Sequence, residues 1–400
     1  MDLREIKGKE IALTRQIKRL EDGFAVQSQT SKRFYFVDNE GHCNCPDCVK
    51  NGVSKCKHAF AVEYFLTVKK TDQHGAITEQ KVRLTYPQAW HAYTEAQKSE
   101  GLKFGELLKD LLESVEEPEY SFGRPKLSLK ESIFCAVSKV HSQVSSRRAY
   151  SLFKNAESRE QIKKTPNYNA INKLLNKAEI SPIIERLIVL SALPLKSVET
   201  SFAIDSTGFR TTSFNDYCRE KHGTSLKHQW VKLHAVCGVK TNIITSVEIT
   251  ESNVSDKTMF APLVQNTKNN GFNVQELSAD MGYSSRNIHE TASQLGVQAF
   301  IPFTKNATGT SNGSAIWKKM FHYFKFNQEE FMAHYHKRSN VETTFHMIKS
   351  KLGDCLKSKN FTAQKNELLC KVLAHNILVL IMETQELGIN PKSESLNNDS

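Results

Sequence analysis

The chain has 400 residues, 39% of them hydrophobic, enough for two or three domains with packed cores. Lysine and arginine number 54 against 43 aspartates and glutamates, a formal charge of +11; this favours a polyanionic partner such as nucleic acid, the plainer alternative being a merely soluble basic protein. The charged start, MDLREIKGKEIALTRQ, lacks the apolar stretch of a secretory leader, and the run Ile377 to Met382 is too short to span a bilayer, so a soluble cytoplasmic protein is expected.

Four of the nine cysteines lie between Cys43 and Cys56, in RFYFVDNEGHCNCPDCVKNGVSKCKHAFAVEYFL. In a reducing compartment such clustering points to metal ligands rather than disulfides. Cys43-x-Cys45 and Cys56-x-His58 supply three sulfurs and one nitrogen, a set suited to one tetrahedral zinc ion. Four protein ligands close the coordination shell, so this zinc is expected to be structural. Cys48 and His42 are spare donors, and Cys48 can replace a named ligand; the alternative is a reduced thiol cluster without metal. The scattered Cys135, Cys218, Cys237, Cys355 and Cys370 read as ordinary thiols of a core.

These features define a zinc-binding domain over residues 1–98. The acidic run and Gly123-Arg124-Pro125 that follow read as a linker over 99–124. Residues 125–198 form a helical region. Ser128 with Glu131 fits a capping box opening a helix to about Val144, and Ser181-Pro182 marks another helix start. Arg147, Arg148, Lys163 and Lys164 near its turns are suited to gripping DNA, although a plain helical connector has the same pattern.

From Ser201 the period changes. SFAID reads as a buried strand ending in a carboxylate, and HQWVKLHAV and NIITSVEI as two strands of a hairpin. Ser255-Asp256 opens a helix. VQELSAD is a second strand ending in a carboxylate, a helix opens at Ser284 or Ser285, and VQAFIPF is a last strand. The expected fold class is α/β: a mixed sheet with flanking helices over 199–385. Thr304 to Ser314 reads as a loop, a long helix is expected from about Gln328 to Leu352, and 386–400 as a disordered tail.

Asp205 and Asp280 each close a predicted strand before a glycine-containing turn, DSTGF and DMGY. Two acids brought together at strand ends repel unless a cation lies between them, and Mg²⁺ takes such hard oxygen ligands. Taken singly, each is equally a cap or turn former. On the long helix, Tyr335, Arg338, Glu342 and Lys349 fall within an arc of roughly 60° at about 100° per residue. Val341, Phe345, Ile348 and Leu352 form the adjacent apolar stripe. One carboxylate flanked by cations on a packed face suits a metal-and-phosphate site; an i,i+4 Arg338–Glu342 pair is the simpler account. Lys232 and His234 share a strand face and can approach DNA near Asp205, with a satisfied sheet histidine the plainer reading of His234. Asp256 reads as an acid at a helix N-terminus. Tyr283 can stack on a base or pack.

The spacing Tyr335-x2-Arg338-x3-Glu342-x6-Lys349 resembles, without a gap, the signature of DDE-class insertion-sequence transposases. AIDSTGF and SADMGYSS resemble the two aspartate-bearing strands of that family, in the expected order. The likeness covers roughly Gly123 to Ile381. It implies a ribonuclease H-like catalytic domain in which Asp205, Asp280 and Glu342 hold two Mg²⁺ or Mn²⁺ ions. By the same resemblance Arg338 and Lys349 contact DNA phosphates and Tyr335 supports the site. The implied partner is double-stranded DNA, at element ends and target, bound by a homodimer that brings two ends together. Only about 26 residues separate Phe303 from Glu329, too few for the large β-rich insertion of some relatives. The cysteine segment is similar to the SWIM zinc finger, which binds DNA or protein. A non-catalytic DNA-binding protein of the same descent, or a nuclease that cuts without joining, remains as an alternative; the intact acidic set argues against the first, and only the products separate the second.

Overall fold

The computed structural model describes residues 3–391 apart from 15–16, 21, 30–32, 52–54, 66, 72–76, 82–88, 120–121, 123–126, 212–229 and 311. Gly123-Arg124-Pro125 of the expected linker, Cys218, and residues 392–400 of the expected tail lie outside the described residues. The chain divides into two compact units, 1–93 and 94–400. No helix among the described residues is long and apolar enough to cross a membrane.

The first unit holds helix α1 (Leu3–Thr14) and a three-stranded antiparallel meander, β1 (Ile17–Arg19), β2 (Gly23–Gln27) and β3 (Phe34–Asp38). Helices α2 (Pro46–Asn51) and α3 (Lys57–Phe65) follow, then a hairpin of β4 (Thr67–Thr71) and β5 (Ile77–Lys81). Gly8 lets α1 lie against α3: a Cβ there would stand 2.5 Å from Phe60 Cβ. The core is small, with Ile11, Phe24, Val26, Val37, Ala59, Ala61 and Val62 gathered around Cys43, Cys45 and Cys56.

In the second unit much of the expected linker is helical. Helix α4 (Trp90–Leu112) buries Phe104, Leu107, Leu108, Leu111 and Leu112 in the main core. These apolar residues recur at helical spacing, a signal outweighed in the sequence by the acidic run after it. Helices α5 (Leu129–His141), α6 (Ser146–Ser158), α7 (Tyr168–Leu175) and α8 (Ser181–Ala192) follow. The Ser128 box is half formed. Ser128 Oγ accepts from Glu131 N at 3.2 Å, but the carboxylate that reaches the helix start is Glu117, which accepts from Leu129 N and Lys130 N at 2.7 and 3.0 Å.

The sheet contains β6 (Ser201–Arg210), β7 (Trp230–Gly238), β8 (Ile244–Glu251), β9 (Glu276–Ala279) and β10 (Gln298–Phe300), in the order β10-β9-β6-β7-β8. The β6-β7-β8 part is antiparallel, and β9 and β10 join in parallel. Leu233 through Gly238 are all buried, so both faces of the central strands are covered. Helices α9 (Asp256–Asn269) and α10 (Arg286–Gln294) flank it, with α10 capped by Ser285, whose Oγ accepts from Ile288 N. After the loop at 304–314 comes α11 (Ala315–Phe326), which the sequence reading did not contain.

The expected long helix is broken in phase. It forms α12 (Gln328–Tyr335), a 3₁₀ turn at His336–Arg338, and α13 (Ser339–Leu352). Last comes α14 (Phe361–Glu386), buried nearly all round, the mark of a core helix. Its Asn376 ties three elements together. Oδ1 accepts from Ile244 N at 3.0 Å, while Nδ2 donates to Ile244 O (2.8 Å), Ser191 Oγ (3.0 Å) and Ile188 O (3.2 Å). Asn376→Leu strands these buried partners and is expected to cost about 3 kcal/mol or more, read as a shift in the urea midpoint.

Candidate functional site

Asp205 does not end its strand. It sits in the middle of β6, which stays paired with β7 through Arg210↔Trp230. The DSTGF glycine is therefore a strand residue rather than a turn. A Cβ on Gly208 would stand 3.1 Å from Trp230 Cε3, so the bare backbone leaves room for the indole. Asp205 is largely buried, and its Oδ1 accepts from Ser206 N at 2.8 Å. Asp280 does close β9 as expected. It caps a 3₁₀ turn through Met281 N at 2.7 Å and is exposed. Glu342 lies in the first turn of α13, also exposed.

Arg338 joins two of these acids. Its Nη1 donates to Asp205 Oδ2 at 2.7 Å and its Nη2 to Glu342 Oε1. Arg338 closes the 3₁₀ turn, which packs against β6. Burial raises the Asp205 carboxyl above its ordinary value. The charges of Asp280 and Glu342 add to that, while the Ser206 N–H and Arg338 oppose it. Burial works against the Arg338 charge, but Asp205, Tyr335 and Glu342 more than hold it. The three acids thus occupy one electrostatic neighbourhood. They do not bring one oxygen each within 4.8 Å of one another, a spacing that among the described residues only the cysteine cluster reaches. As donors they fit the hard-oxygen set that Mg²⁺ or Mn²⁺ takes.

The other expected residues divide. Lys349 Nζ donates to Thr207 Oγ1 at 2.6 Å and stands 5.3 Å from the Phe209 ring; burial lowers its pKa, with Asp354 opposing. Tyr335 ends α12 half-buried beside an aromatic cluster of Phe300, Phe303, Trp317 and Phe331. Lys232 is used internally, bonded to Asp256 Oδ1 (2.7 Å) and Val254 O (3.0 Å), so it secures the connection into α9. Asp256 is the first-turn acid expected of it, and against the effect of burial its carboxyl is held below the ordinary value by Lys232 and neighbouring groups. His234 is a buried sheet histidine with Nε2 2.9 Å from Thr250 Oγ1, and burial lowers its pKa against the pull of Asp256. Tyr283 packs: it is 2% exposed, and burial with the charges of Asp205, Asp256 and Asp280 raises its phenol. The reading missed Thr207, although a partner for Lys349 two residues along the strand from Asp205 follows from the period of two.

In the first unit the sulfurs of Cys43, Cys45, Cys48 and Cys56 all lie within 4.8 Å of one another. Tetrahedral zinc with bonds of about 2.3 Å sets sulfurs about 3.8 Å apart, so the donors fit that ion. His58 Nδ1 lies 3.8 Å from Cys56 Sγ and 3.9 Å from Cys43 Sγ, and its buried Nε2 has no hydrogen-bond partner among the described residues. Cys48 therefore joins the expected set rather than standing apart, and five donors share one small volume.

The mixed five-stranded sheet with its flanking helices is consistent with the ribonuclease H-like fold. Residues 196–377 match the family model of the transposase DDE domain. No solved structure matches the chain. Proteins of that family bind DNA and generally use divalent metal ions, and the four-cysteine cluster fits zinc.

Proposed function

We propose that the chain is a DNA transposase that cuts the ends of its element and joins the freed 3′-hydroxyls to target DNA, acting as a homodimer on two ends. The observation that carries this is the meeting of Asp205 and Glu342 on Arg338, with Asp280 at the end of the adjoining strand. Asp205, Asp280 and Glu342 are the proposed ligands of two Mg²⁺ or Mn²⁺ ions. Bound there, the ions supply Lewis acidity to the attacking and leaving oxygens of an in-line displacement.

The chain's own residues do the positioning. Asp205 is held by its pairing with Ala235 of β7, one residue past the β6–β9 ladder, and Glu342 by the helix whose Val341, Phe345 and Ile348 are buried in the core. Arg338 and Lys349 are the proposed phosphate contacts, a role in which Arg338 gives up its present carboxylate partners for a phosphate. In the first reaction water adds to phosphorus and the bond to the 3′-oxygen breaks, leaving a 3′-hydroxyl and a 5′-phosphate. In the second that hydroxyl adds to a target phosphorus and displaces the target's own 3′-oxygen, which takes up the proton. The first reaction is a downhill hydrolysis, and in the joining reaction one phosphodiester forms for the one broken, so no ATP is required.

The test is incubation of the protein with the gene's own flanking DNA and Mg²⁺, followed by sequencing of cut and joined ends. Joined products are the expected result. Cutting without joining would make the protein a nuclease on this fold.

A further inference from the structure

Between the α5–α6 turn, α7 and the connection from α13 to α14 lies a cavity of about 350 Å³. Lys139, Lys357 and Lys359 line it with hydroxyls, side-chain amides and the apolar Leu175 and Ala363; no acidic side chain contributes, and the Lys357 ammonium is bonded to Gln143 O at its edge. Lys139 is 9% exposed, and its one hydrogen bond is to the neutral Asn172 Oδ1, at 3.0 Å. A buried ammonium whose hydrogen bond is to a neutral amide is costly unless an anion completes it. The acid whose charge acts on it, Glu367, is already engaged by the backbone N–H groups of Lys357 and Ser358.

Helix α6 adds to this. Its N-cap, Ser145, lines the cavity, and no side chain caps the helix there. The positive end of the helix and its first N–H groups therefore face the same space as the lysines. The ammonium groups of Lys139 and Lys359, an uncapped helix start and no carboxylate in the wall describe a receptor for a phosphate-like anion, with Lys357 at its edge.

We propose that this cavity seats a backbone phosphate of the DNA held at the Asp205–Glu342 site. The proposal rests on the reading of the chain as a transposase. Its reason is continuity. Helix α13 runs from Glu342 past Lys349 to Leu352, about 15 Å at 1.5 Å per residue. Leu352, Gly353 and Asp354 then line a smaller adjoining cavity that shares Lys139 and Lys357 with the first. A duplex lying along α13 reaches the seat within about half a helical turn. The contact is to the sugar-phosphate backbone, so it sets register and orientation without reading sequence.

The test uses the full-length chain, a duplex carrying the element's own end, no added Mg²⁺, and a series of KCl concentrations. Lys359 is exposed, and Lys359→Ala leaves the buried Lys139 in place. It is expected to weaken binding about five- to tenfold and to lower the slope of log affinity against log salt by about one. Lys139→Met should do the same, with its melting curve recorded alongside. A scan of single neutral methylphosphonate linkages should find one whose effect on the unaltered protein disappears in Lys359→Ala. Unchanged affinity and slope in Lys359→Ala, or no linkage whose effect depends on Lys359, overturns the seat while leaving the transposase reading intact. Failure of the unaltered protein to bind any duplex overturns both. Displacement of the duplex by millimolar inorganic phosphate, with no Lys359-dependent linkage, assigns the cavity to the free anion and likewise overturns the seat.

Discussion

Asp205→Asn, Asp280→Asn and Glu342→Gln are each expected to lower the rate of DNA strand cleavage by about a thousandfold or more, with the fold intact. Each swap keeps size and hydrogen-bonding oxygen and removes the charge that a cation needs. The acceptor roles survive: an amide oxygen at 205 still meets Ser206 N, and one at 280 still meets Met281 N. Asp280 and Glu342 are exposed, so their replacement should change stability by only about 0.5 kcal/mol. Asp205 is the informative one. Its carboxyl is raised in the folded protein, mainly by burial. The folded state therefore holds the proton more tightly than the unfolded chain. Stability contributed by that proton is lost as pH rises from the ordinary carboxylate value through the raised one, and the ionised group is a net burden at neutral pH. Asp205→Asn removes it, so the melting temperature at pH 7 should hold or rise while cleavage disappears. Gel assays of labelled ends together with melting curves separate lost chemistry from lost structure. Normal cleavage by all three variants would remove the basis of the site.

Removal of zinc should unfold the first unit. Its core is small, and the cysteines are part of it. A structural zinc contributes about 10–16 kcal/mol of apparent binding energy at neutral pH, more than a core of this size supplies. Metal analysis of the purified protein should find one zinc per chain. A strong chelator, or Cys45→Ser with Cys56→Ser, should expose amides of residues 1–65 to rapid hydrogen exchange and leave the sheet of the second unit protected. Protein that carries no zinc and keeps slow exchange in α1 and α3 would contradict this. Cys48→Ser and His58→Ala, measured separately, identify the fourth donor: the variant that loses the metal names the ligand.

The helix starts at Ser181-Pro182 and Ser285, the β7–β8 hairpin and the alternation after it were legible because each rests on local chemistry: a cap, a proline, a turn, a period of two. Asp280 was legible for the same reason, since a four-residue strand ends where its pattern ends. Asp205 was misplaced within its strand because Gly208 looked like punctuation. Its meaning depends on the Trp230 ring across the ladder, which no local pattern contains. Helix α4 was hidden by the charge of the segment after it, and the phase of Arg338 by a 3₁₀ turn that has no marker residue.

By itself the sequence determined the chemistry available: three acids, the Tyr335-to-Lys349 spacing, the sulfur-rich cluster and an α/β period. These are properties of residue type and near-neighbour spacing, and they survive without coordinates. Only the tertiary structure decided which groups meet. It put Arg338 between Asp205 and Glu342, turned Lys232 inward to Asp256, brought Cys48 in with its neighbours, and set three lysines around one cavity with no acid in its wall. Such pairings span long stretches of chain and are set by strand order and helix packing. Charge acts through space at these few ångströms, so its consequences appear only when the chain has folded.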